Sequence, residues 1–415
     1  MWGLQAFRVA TGGAHIDIIM DLHDLALGGA KLSVDDTVAQ ALHSVRELMG
    51  MRVAFVSEFL QERRIFRYVD ADADFTPIGV GGSDPLEDSY CLRVVDGRMP
   101  ELIRDARELP QALTLAATLA LPVGAHLSVP IRFSDGKVYG TFCCFSTHAE
   151  PSLNERDLAT MRLFARLVGS ILERRYADEQ ARAQMKERVQ AVLEGRRYTV
   201  HYQPIFHLVQ NKKVGYEALA RFQTVPARGP DLWFGEAAQV GLQEELELAL
   251  IAEALKGLAR TPADDFVSIN MSPNTLLKGQ VAGLLAGHPL DRIVIEITEH
   301  DSVDDYDALD VVLQPLRQGG LRLAVDDAGA GYSSFRHILR MKPEVIKLDR
   351  SLTQEVDRDL GSRALASALV RFGEQIGSAI VAEGVETESQ LRVLRELRVN
   401  KAQGYLLGRP APLEP

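Results

Sequence analysis

A TIM-type (β/α)8 barrel, carried behind a smaller α+β domain, is the fold class this sequence predicts, and three observations predict it. After Tyr198 the chain alternates eight short apolar runs with helical stretches, a rhythm that suits a closed barrel better than an open sheet. Before that, runs of strands joined by tight turns and closed by helices indicate an antiparallel sheet in an α+β domain. Between the two, residues 154–197 carry a helical apolar stripe without a proline. The predicted boundaries are 1–175 for the first domain, 176–197 for a helical connector and 198–415 for the barrel.

The elements follow in order. Val38, Leu42, Val45 and Met49 recur at helical spacing, and the stretch VDDTVAQAL offers Asp35 or Asp36 as an N-cap. Met51–Leu60 reads as a strand. The run HLSVPIRFSDGKVYGTFCCF reads as a hairpin turning at Ser134-Asp135-Gly136, because Asp-Gly tolerates the positive φ that such turns need. Leu158, Met161, Ala165, Val168 and Leu172, then Met185, Val189 and Val192, trace the stripe of the long helix. Its other face is dense in Arg and Glu, which suits either a solvated surface helix or one that pairs two copies of the chain.

The eight barrel runs are YTVHYQPIF, VGYEALARF, DFVSINMS, RIVIEITE, LRLAVDDAG, EVIKLD, GSAIVAEGVE and KAQGYLLG. Helices are expected at Glu244–Leu258, Tyr306–Gln318, Arg363–Ile376 and Glu388–Leu397. Only HLVQNKK separates the first two strands, too short for a crossover, so they should be antiparallel and the barrel irregular at its start.

Composition narrows the function. The chain has 415 residues, 46% hydrophobic and 25% charged, with a formal net charge of −11 and no basic run. Binding along a DNA or RNA backbone is therefore not expected. The three cysteines, Cys91, Cys143 and Cys144, lack metal-ligand spacing and read as buried free thiols in a reducing compartment. No apolar run spans a bilayer, and Asp17, Asp21 and Asp24 interrupt any signal-like segment, so a cytoplasmic location is expected.

Polar residues cluster at or just after the barrel strand ends: Glu217, Asn270, Glu296 with Glu299, Asp326 with Asp327, Lys347, and Glu383 with Glu386. Strand C-termini converge on one mouth, where barrel active sites lie. A rim this acidic costs several kcal/mol unless cations neutralise it. Carboxylates and an amide, without His or Cys, select hard divalent ions such as Mg2+ or Mn2+. The number of carboxylates suits two ions sharing a bridging ligand, the arrangement that hydrolyses phosphate esters. Lys347 would hold the attacking water or stabilise charge on the reacting phosphorus.

The stretch YEALARF at Tyr216–Phe222 resembles the signature of EAL-domain cyclic-di-GMP phosphodiesterases. The resemblance continues through YQPIF at Tyr202, SINMSP at Ser268, EITE at Glu296, DDAGAGYSS at Asp326, IKLDRSL at Ile346, AEGVET at Ala382 and QGYLLGRP at Gln403, over residues 185–415. It implies metal-dependent hydrolysis of cyclic di-GMP to linear pGpG. Glu217, Asn270, Glu296 and Asp326 would hold one ion. Asp326, Asp327 and Glu383 would hold or orient the second, with Asp326 bridging. Lys347 would bind the nucleophilic water, Glu299 would brace the loop after Asp327, and Glu386 and Gln403 would support the site. Gln203 and Arg221 match dinucleotide contacts, and Tyr405 would either stack on a base or pack in the core. Ala328 and Ala330 stand where the family has Phe and Thr, in a loop the resemblance links to dimerisation. AAQVG at Ala237 replaces the commoner AExxG. Neither departure removes a ligand. The other reading is a receptor or scaffold that does not cleave the nucleotide, although such proteins lack several acidic ligands and this sequence lacks none.

Residues 20–175 resemble a GAF domain, through YCLRVVDGRMPELIRDAR from Tyr90 and the SVPIRFSDGKVYGTFCCFS hairpin. That implies a small-ligand sensor or dimerisation module regulating the barrel, whose ligand the sequence leaves unknown. With the long helix, it implies a homodimer.

Overall fold

The protein, seen as a computed structural model, is described for residues 33–298, 303, 305–328 and 333–413, so Glu299 and Ala330 lie outside the described residues. It divides into two units between Gln180 and Ala181.

The first unit is built on a six-stranded antiparallel sheet in the order β3-β2-β1-β6-β5-β4. The strands are β1 (Val53–Leu60), β2 (Arg63–Ala71), β3 (Ser83–Pro85), β4 (Leu102–Ile103), β5 (His126–Arg132) and β6 (Val138–Phe145). Helix α1 (Val34–Leu48) is capped by Ser33, not by Asp35 or Asp36. The Ser33 hydroxyl accepts from the Asp36 amide at 3.1 Å, and the Asp36 carboxylate accepts from the Ser33 amide at 3.3 Å. This reciprocal pair satisfies two of the orphan donors at once, which a lone aspartate cap does not. Gly136 turns the β5–β6 hairpin with a φ of 86°.

Both faces of the sheet are covered. Val38, Leu42 and Val45 of α1 pack with Leu158, Met161, Ala165, Val168 and Leu172 on one face. The short α2 (Tyr90–Val95) and the segment with α3 (Pro110–Leu113) and α4 (Ala116–Ala120) cover the other. Because strand side chains alternate, the consecutive Cys143 and Cys144 go to opposite faces and belong to different cores. Helix α5 (Glu155–Glu194) is unbroken, and its Val189 and Val192 lie in the core of the second unit.

The second unit closes eight strands into a barrel: β7 (Tyr198–His207), β8 (Lys212–Phe222), β9 (Phe266–Asn270), β10 (Ile293–Thr298), β11 (Arg322–Ala328), β12 (Val345–Leu348), β13 (Ala379–Ala382) and β14 (Lys401–Ala402). Strands β8 to β14 run parallel, while β7 is antiparallel to both neighbours, β8 and β14. Ile205, Phe266, Val294, Ala324, Val345 and Val381 fill the barrel interior as an apolar plug. The surrounding helices include α6 (Pro230–Val240), α7 (Gln243–Leu258), α8 (Pro273–Leu277), α9 (Gln280–Leu285), α10 (Tyr306–Gln318), α11 (Ser333–Met341), α12 (Arg350–Glu355), α13 (Leu360–Ile376) and α14 (Glu388–Glu396). The run KAQGYLLG contributes only two strand residues. A Cβ on Gly404 would lie 2.1 Å from the Val385 carbonyl oxygen, so the chain leaves the sheet there to pass against that backbone. Among the described residues no helix is long and apolar enough to cross a membrane.

Candidate active site

Above the apolar plug, the inward positions of the barrel strands become polar. Glu217 lies in the middle of β8 rather than at its end, because β8 runs on past β9 as a ribbon with β7. The register sets Glu217 beside Ser268 of β9, and Asn270 beside Glu296 of β10. From Asn270, Nδ2 donates to Glu217 Oε1 at 3.1 Å. Ser268 donates to Glu296 Oε1.

Lys347, on β12, is 1% exposed and stands at the centre. Its Nζ lies 2.6 Å from Glu296 Oε2, 2.6 Å from Glu383 Oε1, 3.0 Å from Asp326 Oδ2 and 3.4 Å from Glu217 Oε1. Burial opposes the charge on this lysine, but Asp326, Glu217, Glu296 and Glu383 outweigh it and hold the ammonium well above the ordinary lysine range. Burial drives Glu296 well above the usual carboxylate range; Lys347 opposes the rise and the surrounding carboxylates add to it. Burial likewise pushes Glu383 up to about 8, against Lys347. Glu217 is the exception: burial raises it, yet Lys347, Gln403 and Asn270 together hold it below the usual value.

Adjacent strand residues normally face opposite ways, so Asp326 and Asp327 should not share a site. They do so because β11 carries an irregularity between Val325 and Ala328, and Asp327 takes a φ of 56°. That left-handed conformation is uncommon outside glycine, though Asp tolerates it better than most residues. It lets both carboxylates approach Glu383.

Two acidic triplets result, Glu217 with Glu296 and Asp326, and Asp326 with Asp327 and Glu383, each with ligand oxygens within 4.8 Å of one another. Two carboxylates about 4 Å apart repel by on the order of 4 kcal/mol at an effective dielectric of about 20. A single ammonium does not balance five carboxylates. The donors are oxygens only, and the Oε1 of the buried Gln403 has no hydrogen-bond partner. This set fits hard divalent cations in both triplets.

The remaining predicted residues divide into those drawn in and those left out. Gln403 Nε2 donates to Glu217 Oε2 at 2.5 Å and to Gln203 Oε1 at 2.9 Å, joining β7, β8 and the segment after β14. Gln203 in turn donates to the Gly408 carbonyl at 3.1 Å. Arg221 lines a cavity of about 360 Å3 that also contacts Glu217, Asn270, Asp326, Asp231 and Phe234. Tyr405 is 48% exposed with the Arg409 guanidinium 4.4 Å from its ring centre, so it is not a core tyrosine. Glu386 is not drawn into the Lys347 cluster; it accepts from Arg350 at 2.8 Å.

Ser268 and Asp231 were not singled out from the sequence. The two-residue alternation in FVSIN puts Ser268 on the same face as Asn270, a signal that was available. Asp231 sits in the first turn of α6, and nothing in its local sequence points toward a cavity.

A family model described as EAL domain matches residues 186–410, and one described as GAF domain matches residues 31–173. The chain is 33% identical over 251 residues to the bifunctional diguanylate cyclase/cyclic di-GMP phosphodiesterase MucR of Pseudomonas aeruginosa, across 57% of this chain and 36% of MucR. It is 30% identical over 221 residues to the probable cyclic di-GMP phosphodiesterase PdeD of Escherichia coli, across 51% of this chain and 41% of PdeD. This chain thus matches well under half the length of either relative. Among solved structures, the PaMucR phosphodiesterase in complex with c-di-GMP superposes with a TM-score of 0.51 at 32% identity, over 55% of this chain and 98% of that one.

Proposed function

The chain belongs to the EAL domain family, and from that premise we propose that it hydrolyses one phosphodiester bond of cyclic di-GMP to give linear pGpG. The observation that carries this reading is the convergence of four carboxylates on one buried lysine at the barrel mouth, with Asp327 and the Asn270 amide beside them. The likeness to the MucR phosphodiesterase, whose structure holds c-di-GMP, supports the substrate.

Glu217, Asn270, Glu296 and Asp326 would hold one Mg2+ or Mn2+ ion, and Asp326, Asp327 and Glu383 a second; when bound, such ions supply Lewis acidity and lower the pKa of water. The chain's own residues do the rest. Lys347 presents a fixed positive charge at the floor of the site and holds the attacking water through an N–H that it now gives to a carboxylate. Ser268 and Gln403 orient Glu296 and Glu217, so those side chains need no reorganisation when ions arrive. Arg221, at the cavity wall, offers a planar donor fork to a phosphate or a guanine edge. Gln203, held by Gln403 and the Gly408 carbonyl, is a second contact to the dinucleotide, and Tyr405 gives an exposed ring on which a base stacks. Glu386 steadies the loop after β13 through Arg350.

The GAF-like unit regulates turnover in this proposal, and two copies pair through α5, whose unbroken length and exposed Leu163 support it. The function is tested by separating nucleotide products after incubation with Mg2+ or Mn2+. Appearance of pGpG supports hydrolysis, whereas tight binding of cyclic di-GMP without product would make the chain a receptor. Light scattering tests the pairing.

A further inference from the structure

The first unit buries a polar cluster that phosphodiester chemistry leaves unused. Cys91 on α2 and Cys143 on β6 are both fully buried, with sulfurs 3.5 Å apart. Arg64 of β2 donates through Nη1 to the Cys91 sulfur at 3.0 Å and through Nε to Asp84 at 2.9 Å. The Cys143 sulfur lies 3.1 Å from both Ser128 Oγ and Thr141 Oγ1. One thiol therefore faces a cation, and the other faces hydroxyls.

That asymmetry separates the two sulfurs chemically. Burial alone would raise Cys91, but the hydrogen bond from Cys143 and the charge of Arg64 overcome it and bring the thiol down to about 5. Burial and the neighbouring Cys91 push Cys143 well above the ordinary range. The pair thus offers a nucleophilic sulfur beside one that keeps its proton. Cys144 is an internal control. It is as deeply buried, but its sulfur lies 4.0 Å from the Met49 and Met161 sulfurs, and burial pushes its thiol up.

A small cavity lies beside Arg64, the residue that donates to the Cys91 sulfur. Arg64 and Tyr90, the residue before Cys91, line a cavity of about 30 Å3 together with His126. This holds one or two molecules of the size of water. The imidazole of His126 is buried there and its Nδ1 has no hydrogen-bond partner.

We propose that Cys91 and Cys143 are a peroxide-reactive dithiol, in which Cys91 reduces hydrogen peroxide and Cys143 closes a disulfide. The Cys91 sulfur attacks one peroxide oxygen, the O–O bond breaks, and the departing hydroxide takes up a proton and leaves as water. Cys91 is then a sulfenic acid. The Cys143 sulfur attacks it, the S–S bond forms, and the displaced hydroxyl leaves with the Cys143 proton as a second water. Two electrons pass from the dithiol to the peroxide.

The test treats the full chain with hydrogen peroxide under native conditions, then alkylates it and maps its peptides without reduction. A Cys91–Cys143 linked peptide is expected, reversed by dithiothreitol, with Cys144 still free. In Cys143→Ser, the Cys91 sulfenic acid should persist and be captured by dimedone. In Arg64→Gln, disulfide formation should slow at least about tenfold. Arg64→Lys keeps a charge and should slow it less, which covers the case in which Arg64→Gln does not fold. Three free thiols after peroxide treatment would overturn the proposal. So would oxidation of Cys144 as fast as Cys91, because that would mean reaction through unfolding.

Discussion

Lys347 in the barrel and Arg64 in the first unit are both buried beside acidic groups, and the two sites resolve the charge in different ways. At the barrel mouth, Lys347 meets four carboxylates directly, so negative charge is in excess and more cations are required. In the first unit, Arg64 meets one carboxylate, Asp84, and the Cys91 sulfur, so the negative excess is smaller and the thiol is held below its ordinary range. The lesson is that burial alone does not decide ionisation. The ratio of cations to acidic groups does, because desolvation acts on both signs and only the local count differs.

The strongest way to break the comparison is at the bridging carboxylate. Asp326→Asn should lower cyclic di-GMP turnover by at least about 100-fold, since even groups that merely orient metal ligands cost 10- to 100-fold. Retention of wild-type turnover would remove Asp326 from the metal site. Next, Lys347→Met leaves buried carboxylates without their cation. In chelator it should cost the barrel about 3–5 kcal/mol in denaturant unfolding, the usual penalty for breaking a buried pair. An unchanged midpoint would mean that those carboxylates take up protons at no cost.

Metal addition sharpens the contrast further. Divalent ions at about 100 times their dissociation constant should stabilise the barrel by about 2.7 kcal/mol and leave the first unit's hydrogen exchange unchanged. Equal protection of both units would place the ion elsewhere.

The smallest effect concerns His126. Burial, with Arg64 adding to it, depresses this imidazole from its usual 6.5 to about 3. Its contribution is complete above pH 6.5 and falls as the pH drops toward 3, because only the unfolded chain gains the proton in that window. Each pH unit should cost up to about 1.4 kcal/mol. Hydrogen exchange of the β5 and β6 amides should lose that slope in His126→Phe; an identical slope would assign it to other groups.

Much of this was legible in the amino acids, and the failures share a cause. Helix α10 matches its expected span because Asp305 caps it and its apolar residues repeat at helical spacing, both local properties. The antiparallel start of β7 followed from a link too short to cross over. Its antiparallel pairing with β14 did not, since that depends on ring closure across the whole unit. Glu217 looked like a strand-end residue because alternation does not reveal where a neighbouring strand stops. The joint aim of Asp326 and Asp327 needed a bulge that no side chain announces. The pairing of Glu386 with Arg350 joins residues 36 positions apart, which no local pattern announces.

The joint between β7 and β14 carries a mechanical consequence. Two backbone pairings, Lys401 with His207 and Ala402 with Phe206, hold the ring shut there, against ten along β7 and β8. The Gln403 amide, fastened to Gln203 and Glu217, acts as a rivet beside that short weld. A pulling force would open the ring at this seam, or at the equally short pairing of β13 with β14, before the β7–β8 ribbon parts. The Gln403 contact to Glu217 would part with the seam, so the acidic site would be disturbed while the longer strand pairings still held.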